Sequence, residues 1–247
     1  MWSSAPKSLS LSSGEVHVWR ARLEQRQELQ DEFLHTLDLD ERERAHRFHF
    51  EKHRRRFILG RGFLRLLLGR YLKIAPEEVR FGYGPYGKPS LADEHEASGL
   101  RFNASHSHEL AVYAFVQERE IGVDVEYVKD DFQSEEIAQR FFSAQEVQML
   151  TALPKHERHA AFFRCWTRKE SYIKAIGSGL SHPLDQFDVT LTADEPATLL
   201  RDAHDAEAAA RWEMFNLRFT DRYAGALIVE GREHRLHGFE LPYRVFA

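Results

Sequence analysis

Two acidic residues, Asp124 and Glu126, stand two positions apart in the segment Ile-Gly-Val-Asp-Val-Glu at residues 121–126. Apolar residues alternate with them, which predicts a β-strand whose two carboxylates face the same side. Mg²⁺ accepts carboxylate oxygens at about 2.1 Å and completes its octahedron with water and phosphate oxygens. The pair is therefore a candidate metal site, although the same pattern is common on a strand that faces solvent.

A second set, Trp166, Glu170 and Lys174, has a spacing of four within a strongly helical segment at residues 155–176. Residues four apart share one face of a helix. One interpretation is an ordinary Glu–Lys helix pair, which contributes about 0.2–0.5 kcal/mol. The other is a third metal ligand followed by a cation that neutralises phosphate. The spacing alone does not decide between them.

A third set lies in Phe-Asn-Ala-Ser-His-Ser at residues 102–107. Adjacent residues on an extended chain point apart, so Ser105 is poorly placed as a nucleophile with His106 as its base. Both side chains are better suited to donating hydrogen bonds to phosphate oxygens. The alternative is a polar turn that leads into a hairpin.

Positive charge is concentrated in one short segment of a chain whose net charge is -5. That balance argues against a general nucleic-acid binder, because such domains carry a broad basic surface. The segment contains Arg42, Arg44, Arg47, Lys52, Arg54, Arg55 and Arg56, offset by Glu43 and Glu51. A run of this kind is often a solvated helix face; the other motifs favour a phosphate-bearing ligand.

The elements that must position these residues follow from periodicity and from glycine and proline. Strands are predicted at residues 16–23, 187–191, 212–218, 223–229 and 236–241, and a hairpin at 109–117 and 120–128. Helices are predicted at 25–37, 41–72, 134–153 and 155–176, and a tight loop at 81–89. This order predicts an α+β fold of two lobes that meet near residue 120.

Taken in order, the motifs resemble the Sfp-type phosphopantetheinyl transferases. The resemblance is carried by Gly87-Lys88-Pro89 and by the segments at 102–107, 122–126 and 166–174, and it extends from about residue 42 to residue 184. It implies two pseudo-symmetric lobes, each a small antiparallel sheet packed with helices. The implied divisions are a flexible tail at 1–14, an N-terminal lobe at 15–119 and a C-terminal lobe at 120–247.

The resemblance also implies a reaction, in which the 4'-phosphopantetheine arm of coenzyme A passes to a serine of an apo acyl, peptidyl or aryl carrier protein. Adenosine 3',5'-bisphosphate would be released. Glu170, Lys174 and Asp124 are the implied catalytic residues, with Glu170 accepting the serine proton directly or through a water. The implied Mg²⁺ ligands are Asp124, Glu126 and Glu170.

Coenzyme A would bind in the cleft between the lobes. The implied contacts are Arg44 and Arg56 for the 3'-phosphate, Tyr86, Gly87 and Lys88 for the adenine, and Ser105, His106 and Lys174 for the phosphates. The family tends to present lysines where this chain has Glu41-Arg42-Glu43-Arg44. Arg47 or Arg54 are therefore alternatives for the 3'-phosphate.

Two other functions are compatible with parts of this pattern. A metal-dependent nuclease also uses carboxylates and a lysine, but its Glu and Lys commonly stand two apart on a strand. A non-catalytic coenzyme A binding module would have no use for three converging carboxylates. With one cysteine, Cys165, and no apolar run near the roughly 20 residues of a membrane span, we expect a cytoplasmic protein that contacts neither membrane nor nucleic acid. The resemblance implies that it is a monomer.

Overall fold

A computed structural model describes residues 2–6, 8–25, 27–130, 132–219 and 222–241. Within them the helices are α1 (Gln27–Thr36), α2 (Leu39–His46), α3 (Glu51–Leu72), α4 (Ser134–Phe141), α5 (Ala144–Ala152), α6 (Lys155–Ile176) and α7 (Ala208–Arg211). The strands are β1 (Trp2–Ser4), β2 (Glu15–Arg22), β3 (Phe81–Tyr83), β4 (Pro89–Leu91), β5 (Leu100–Ser107), β6 (Leu110–Gln117), β7 (Ile121–Tyr127), β8 (Phe187–Val189), β9 (Leu199–Asp202), β10 (Trp212–Asn216), β11 (Tyr223–Glu230) and β12 (Arg235–Glu240). Short 3-10 segments lie at Pro76–Glu78, Asp93–Ser98, Gly179–Ser181 and Leu184–Gln186.

Two main sheets organise these elements. The first sheet has the order β1-β12-β2-β6-β5, and the second has the order β10-β11-β7. Strands β2, β6 and β5 pair antiparallel, as do the three strands of the second sheet, while β12 joins β1 and β2 in parallel. The fold is α+β, as the sequence predicts.

Each main sheet packs against one helix of 22 residues, α3 or α6. Trp19 of β2 lies in the same core as Phe63 of α3, whereas its neighbour Val18 lies in a core that also contains Val123 of β7. The alternation of β2 therefore buries one face under α3 and the other against the second sheet. Among the described residues, no helix combines the length and apolar composition needed to cross a bilayer.

The two ends of the described chain meet in the first sheet. Residues 2–4, expected in a flexible tail, form β1, which pairs with β12. Residues 235–240, expected in the C-terminal lobe, pair along β2. Those two expectations are wrong for these residues, because backbone hydrogen bonds to a distant strand leave little trace in local sequence. The boundary near residue 120 stays a prediction.

Two predicted helices are interrupted. The helix expected at 41–72 is divided between α2 and α3, since Phe50 has an extended backbone and precedes α3 as its N-cap residue. Glu41 explains the fold-back, because its carboxylate accepts hydrogen bonds from Arg61 and, at 2.7 Å, from Arg65 of α3. The helix expected at 134–153 is likewise divided, into α4 and α5. Ser143 is the N-cap residue of α5 and forms a capping box with Glu146.

The hairpin expected from 109–117 and 120–128 does not form between those segments. β6 pairs with β5 and β2, while β7 pairs with β11 in the other sheet. Residues 118–120 therefore carry the chain from one sheet to the other. The polar segment at 102–107, considered as a possible turn, is most of β5.

Candidate active site

Asp124 lies at the junction of the two main sheets. Its neighbours Val123 and Val125 are fully buried, and Asp124 itself is only 2% exposed. Oδ1 accepts hydrogen bonds from Ser105 Oγ at 2.8 Å and from Lys174 Nζ at 2.6 Å. Oδ2 is buried without a hydrogen-bond partner among the described residues. Oδ1 thus accepts two hydrogen bonds, whereas Oδ2 has lone pairs that a ligand could use.

Helix α6 delivers Glu170 and Lys174 to this carboxylate, as the four-residue spacing predicts. Lys174 Nζ also donates to Ser105 Oγ at 2.9 Å, so the ammonium is held between the hydroxyl and Asp124. The approach requires Gly122, because a Cβ at that position would lie 2.0 Å from the carbonyl oxygen of Ser171 in α6. The glycine therefore permits direct packing of the helix on β7.

Three carboxylates interact in this region. The pKa of Glu170 is raised to about 7, chiefly by burial and next by the charge of Asp124, while Lys174 opposes the rise and Glu126 adds to it. Burial and then the charge of Asp124 raise the pKa of Glu126, against a lowering by the hydrogen bond from Ser107. Ionising all three carboxylates together is therefore unfavourable without an added cation.

The donor set suits a hard divalent cation. Among the described residues, no three His, Cys, Asp or Glu side chains are grouped closely enough to hold a metal ion by themselves. Mg²⁺ does not require one, because it usually binds one or two carboxylates and takes its remaining ligands from water and substrate phosphates. The unpartnered Oδ2 of Asp124 and the mutual repulsion of Asp124, Glu126 and Glu170 fit such an ion.

Strand β5 holds β7 through its side chains. Asn103 Oδ1 accepts a hydrogen bond from the amide of Val123 at 2.9 Å, and Ser107 Oγ accepts one from the amide of Tyr127 at 3.0 Å. Ser105 Oγ, between them, accepts from the amide of Val125 at 3.4 Å. These polar side chains take the place of a backbone ladder between the main sheets. Their spacing of two was the signal for a strand that our sequence analysis missed.

Two adjoining pockets form a cleft beside these carboxylates. The first, of about 290 Å³, is lined by Arg44, Arg56, Gly87, Ser105 and His106, among others. The second, of about 360 Å³, is lined by Tyr86, Gly87, Lys88, Glu170 and Lys174, among others. Gly87, Pro89 and Ala104 line both pockets, so the cleft is continuous from the basic segment to α6. Asp124 and Glu126 do not line it, but Asp124 is hydrogen-bonded to Ser105 of the first pocket and to Lys174 of the second.

The first pocket has a cationic lining. Arg44 is exposed, with its guanidinium 5.2 Å from the ring centre of Phe57. Arg56 is buried and pairs with Glu109 at 2.5 Å, a partner that the sequence analysis did not anticipate. Desolvation and then the charges of Lys174 and Arg56 lower the pKa of His106. The imidazole of His106 is therefore neutral near pH 7.

Comparison with known proteins agrees with this geometry. Residues 120–228 match the 4'-phosphopantetheinyl transferase superfamily, and residues 19–118 match the N-terminal region described for 4'-phosphopantetheinyl transferase. The 4'-phosphopantetheinyl transferase HetI of Nostoc sp. is 42% identical over 93% of this chain and 94% of that protein. Sfp of Bacillus subtilis, also a 4'-phosphopantetheinyl transferase, is 37% identical over 72% of this chain and 77% of its own. The chain belongs to the 4'-phosphopantetheinyl transferase superfamily.

In this phosphopantetheinyl transferase, Lys88 joins the β3–β4 loop to the residue before β7 and to α6. Its ammonium pairs with Glu120 at 2.5 Å and donates to the carbonyl oxygen of Ala175, near the end of α6, at 2.7 Å. Tyr86, two residues earlier, is 62% exposed. Gly87 has a φ of 81°, a left-handed value that closes the β3–β4 loop and favours glycine. The charge of Lys88 thus has partners within the protein.

The conspicuous charges at Arg168 and Lys169 have structural roles. Arg168 is fully buried and donates to Thr190 and to Asn216. Lys169 is also fully buried, pairs with Glu146 at 2.8 Å and donates to the carbonyl oxygen of Leu184. These contacts anchor α6 and so fix the direction in which Glu170 and Lys174 point. The spacing of residues in the sequence predicted no partner for Arg168 or Lys169.

Proposed function

We propose that this protein transfers the 4'-phosphopantetheine moiety of coenzyme A to a serine of an apo carrier protein, with Mg²⁺ as its metal ion and adenosine 3',5'-bisphosphate as the released product. One observation carries the proposal. The continuous cleft has a cationic lining near Arg44 and Arg56, and Glu170 and Lys174 at the other end. A cleft with positive side chains at both ends suits a ligand with phosphates at both ends of a nucleoside.

The proposed coenzyme contacts follow the lining of the cleft. Arg44 and Arg56 would bind the 3'-phosphate, since the planar guanidinium donates paired hydrogen bonds to phosphate oxygens. Residues 86–88 would contact the adenine. His106 and Lys174 would bind the pyrophosphate, with Ser105 beside them. Lys174 is already held by Ser105 and Asp124, so it would reach the pyrophosphate from a fixed position.

The proposed reaction is a single displacement. The serine oxygen of the carrier protein forms a bond to the β-phosphorus of coenzyme A. The bond from that phosphorus to the bridging oxygen breaks, and adenosine 3',5'-bisphosphate leaves with the electron pair. Glu170 is the proposed acceptor of the serine proton, because a pKa of about 7 suits a general base at neutral pH. Lys174 would neutralise charge on the leaving phosphate.

The proposed metal ligands are Asp124, Glu126 and Glu170. When bound, Mg²⁺ supplies charge neutralisation of the pyrophosphate. The support is the unpartnered oxygen of Asp124 and the crowding of the three carboxylates. Because coordination would lower the basicity of Glu170, we propose Glu170 first as a metal ligand and second as the base.

Three further properties belong to the same proposal: a monomeric state, a cytoplasmic location and the absence of a nucleic-acid partner. The net charge of -5 supports the last. Cys165, the single cysteine, is buried and unpaired, which suits a reducing compartment.

The decisive experiment is intact-protein mass spectrometry of apo acyl, peptidyl and aryl carrier proteins incubated with the protein, coenzyme A and Mg²⁺. We expect at least one carrier to gain the mass of one phosphopantetheine, and to gain nothing when its acceptor serine is replaced by alanine. Coenzyme A binding without mass gain on any carrier would instead indicate a binding module. Cleavage of DNA under the same conditions would indicate a nuclease.

A further inference from the structure

Glu109, in the turn between β5 and β6, makes an ion pair at the edge of the first pocket. Its Oε1 accepts hydrogen bonds from Arg56 Nε at 3.1 Å and from Arg56 Nη2 at 2.5 Å. Arg55 Nη2 lies 3.8 Å from its Oε2. Both side chains of the Glu109–Arg56 pair are largely removed from solvent. Removing one partner of such a pair destabilises the folded protein, because the charge of the other partner stays buried.

The contact uses one edge of the guanidinium. Nε and Nη2 both point to the same oxygen of Glu109, while Nη1 has no hydrogen-bond partner among the described residues. Arg56 nevertheless lines the first pocket beside Ser105 and His106. A guanidinium held along one edge can present its other donors in a fixed direction, which is the geometry that phosphate recognition requires.

The turn that carries Glu109 is itself fixed on two sides. The carbonyl oxygen of Glu109 accepts a hydrogen bond from the amide of Leu23 at 2.9 Å. The ring of His108, the preceding residue, stacks on Tyr127 with 4.2 Å between ring centres. His108 has a φ of 51°, so the turn is tight. Glu109 is therefore held in place independently of Arg56.

We propose that Glu109 is a positioning residue that orients Arg56 toward the 3'-phosphate of coenzyme A. The proposal rests on the proposed function, since it assigns Arg56 to that phosphate. Two effects of Glu109 oppose each other. Its orientation of Arg56 favours phosphate binding, whereas its negative charge weakens the positive potential of the pocket. The sign of the change on removing the charge therefore distinguishes a positioning role from a merely electrostatic one.

The test is calorimetric titration of Glu109→Gln with coenzyme A and with 3'-dephospho-coenzyme A, in Mg²⁺ and without carrier protein. We expect the Kd for coenzyme A to rise about tenfold, the usual effect of losing one charge-assisted hydrogen bond. The Kd for the dephospho compound should change less than about twofold. Arg56→Ala should lose affinity for coenzyme A, and adding Glu109→Gln to it should cause no further loss, because Glu109 acts through Arg56.

Glu240→Gln is the matched control, because Glu240 also pairs with an arginine, Arg20 of β2, at 2.9 Å and outside the first pocket. We expect wild-type affinity for both ligands. If Glu109→Gln fails to fold, Glu109→Asp keeps the charge and shortens the side chain, and it should show the same selective loss for coenzyme A.

Unchanged or tighter binding of coenzyme A by a folded Glu109 variant would overturn the proposal, as would an equal loss for both ligands. None of these outcomes bears on the proposed function, which fails separately if the wild-type protein modifies no carrier.

Discussion

Gly122 of β7 and Ser171 of α6 touch backbone to backbone. A Cβ at residue 122 would lie 2.0 Å from the carbonyl oxygen of Ser171 and 2.5 Å from the amide nitrogen of Ala175. This contact sets the separation between the strand that carries Asp124 and the helix that carries Lys174, whose side chains meet at 2.6 Å. The geometry of the site thus depends on the absence of a side chain.

Gly122→Ala should therefore destabilise the fold strongly. Backbone atoms cannot give way as side chains do, so we expect the free energy of unfolding to fall by about 3 kcal/mol or more, measured by urea denaturation. Gly60→Ala is the control, because its Cβ would meet only Tyr113 Oη at 3.9 Å. That variant should be as stable as wild type, or slightly more stable. Equal stability of Gly122→Ala and wild type would contradict the contact.

Asp124→Ala should abolish transfer with little loss of fold. The substitution removes a proposed metal ligand, but it also relieves repulsion with Glu126 and Glu170, and Lys174 is partly exposed and can turn to solvent. Carrier modification followed by mass spectrometry, together with a thermal melt, measures both effects. Glu135→Ala, at a surface pair with Arg158, should leave transfer near normal. Retention of near-normal activity by Asp124→Ala would refute the metal assignment.

Lys174→Ala should lower kcat/KM for coenzyme A. The ammonium is held 2.9 Å from Ser105 Oγ and beside Asp124, which is the position proposed for pyrophosphate neutralisation. We expect a loss of about 10²-fold, similar to that from removing other preorganised electrostatic groups. Initial rates at varied coenzyme A concentration measure it. An unchanged kcat/KM would remove Lys174 from the pyrophosphate.

Glu170 should couple cation binding to pH. Its pKa of about 7 means that roughly half of the carboxyl is protonated at pH 7 without a cation, while a cation binds the ionised form. Mg²⁺ binding should therefore release up to about half a proton at pH 7 and tighten as pH rises from 6 to 8. Calorimetry in buffers of different ionisation heat counts the protons. Glu170→Gln should abolish the release attributed to this group; the same release in that variant would assign it elsewhere.

His17 should make stability fall in acid. Burial, followed by the charge of His237, lowers its pKa from 6.5 to about 4, and its Nδ1 lies 2.8 Å from Tyr71 Oη. The unfolded chain binds a proton near pH 6.5 and the folded chain only near pH 4. The stabilisation is thus complete above pH 6.5 and lost as pH falls toward 4, by at most about 3 kcal/mol.

Urea denaturation between pH 7.5 and 4.5 measures this slope. The free energy of unfolding of His17→Gln should change less with pH over that interval than that of wild type. His156→Gln, at an exposed histidine on α6, should keep the wild-type slope. An identical slope in His17→Gln would assign the acid sensitivity to another group.

Local periodicity was sufficient for several elements. The predicted helix at 155–176 coincides with α6, because its apolar spacing and the terminating Gly177 are both local signals. The alternation at 121–126 placed Asp124 and Glu126 on one strand, and the spacing of four brought Glu170 and Lys174 to one end of the cleft. Residue types and order alone therefore predicted the family, and the residues proposed to contact coenzyme A all line one of the two pockets.

What the sequence determined by itself was which residues share a face of each helix or strand, because that depends on backbone periods of 2 and 3.6 residues. Only the tertiary structure decided which faces meet. It paired β6 with β5 instead of β7, turned α2 back onto α3 through Glu41, and gave Lys88 and Arg56 the partners Glu120 and Glu109. Strand pairing and ion pairing join groups that are distant along the chain. Which strands and which charges become partners therefore depends on the packing of the whole chain.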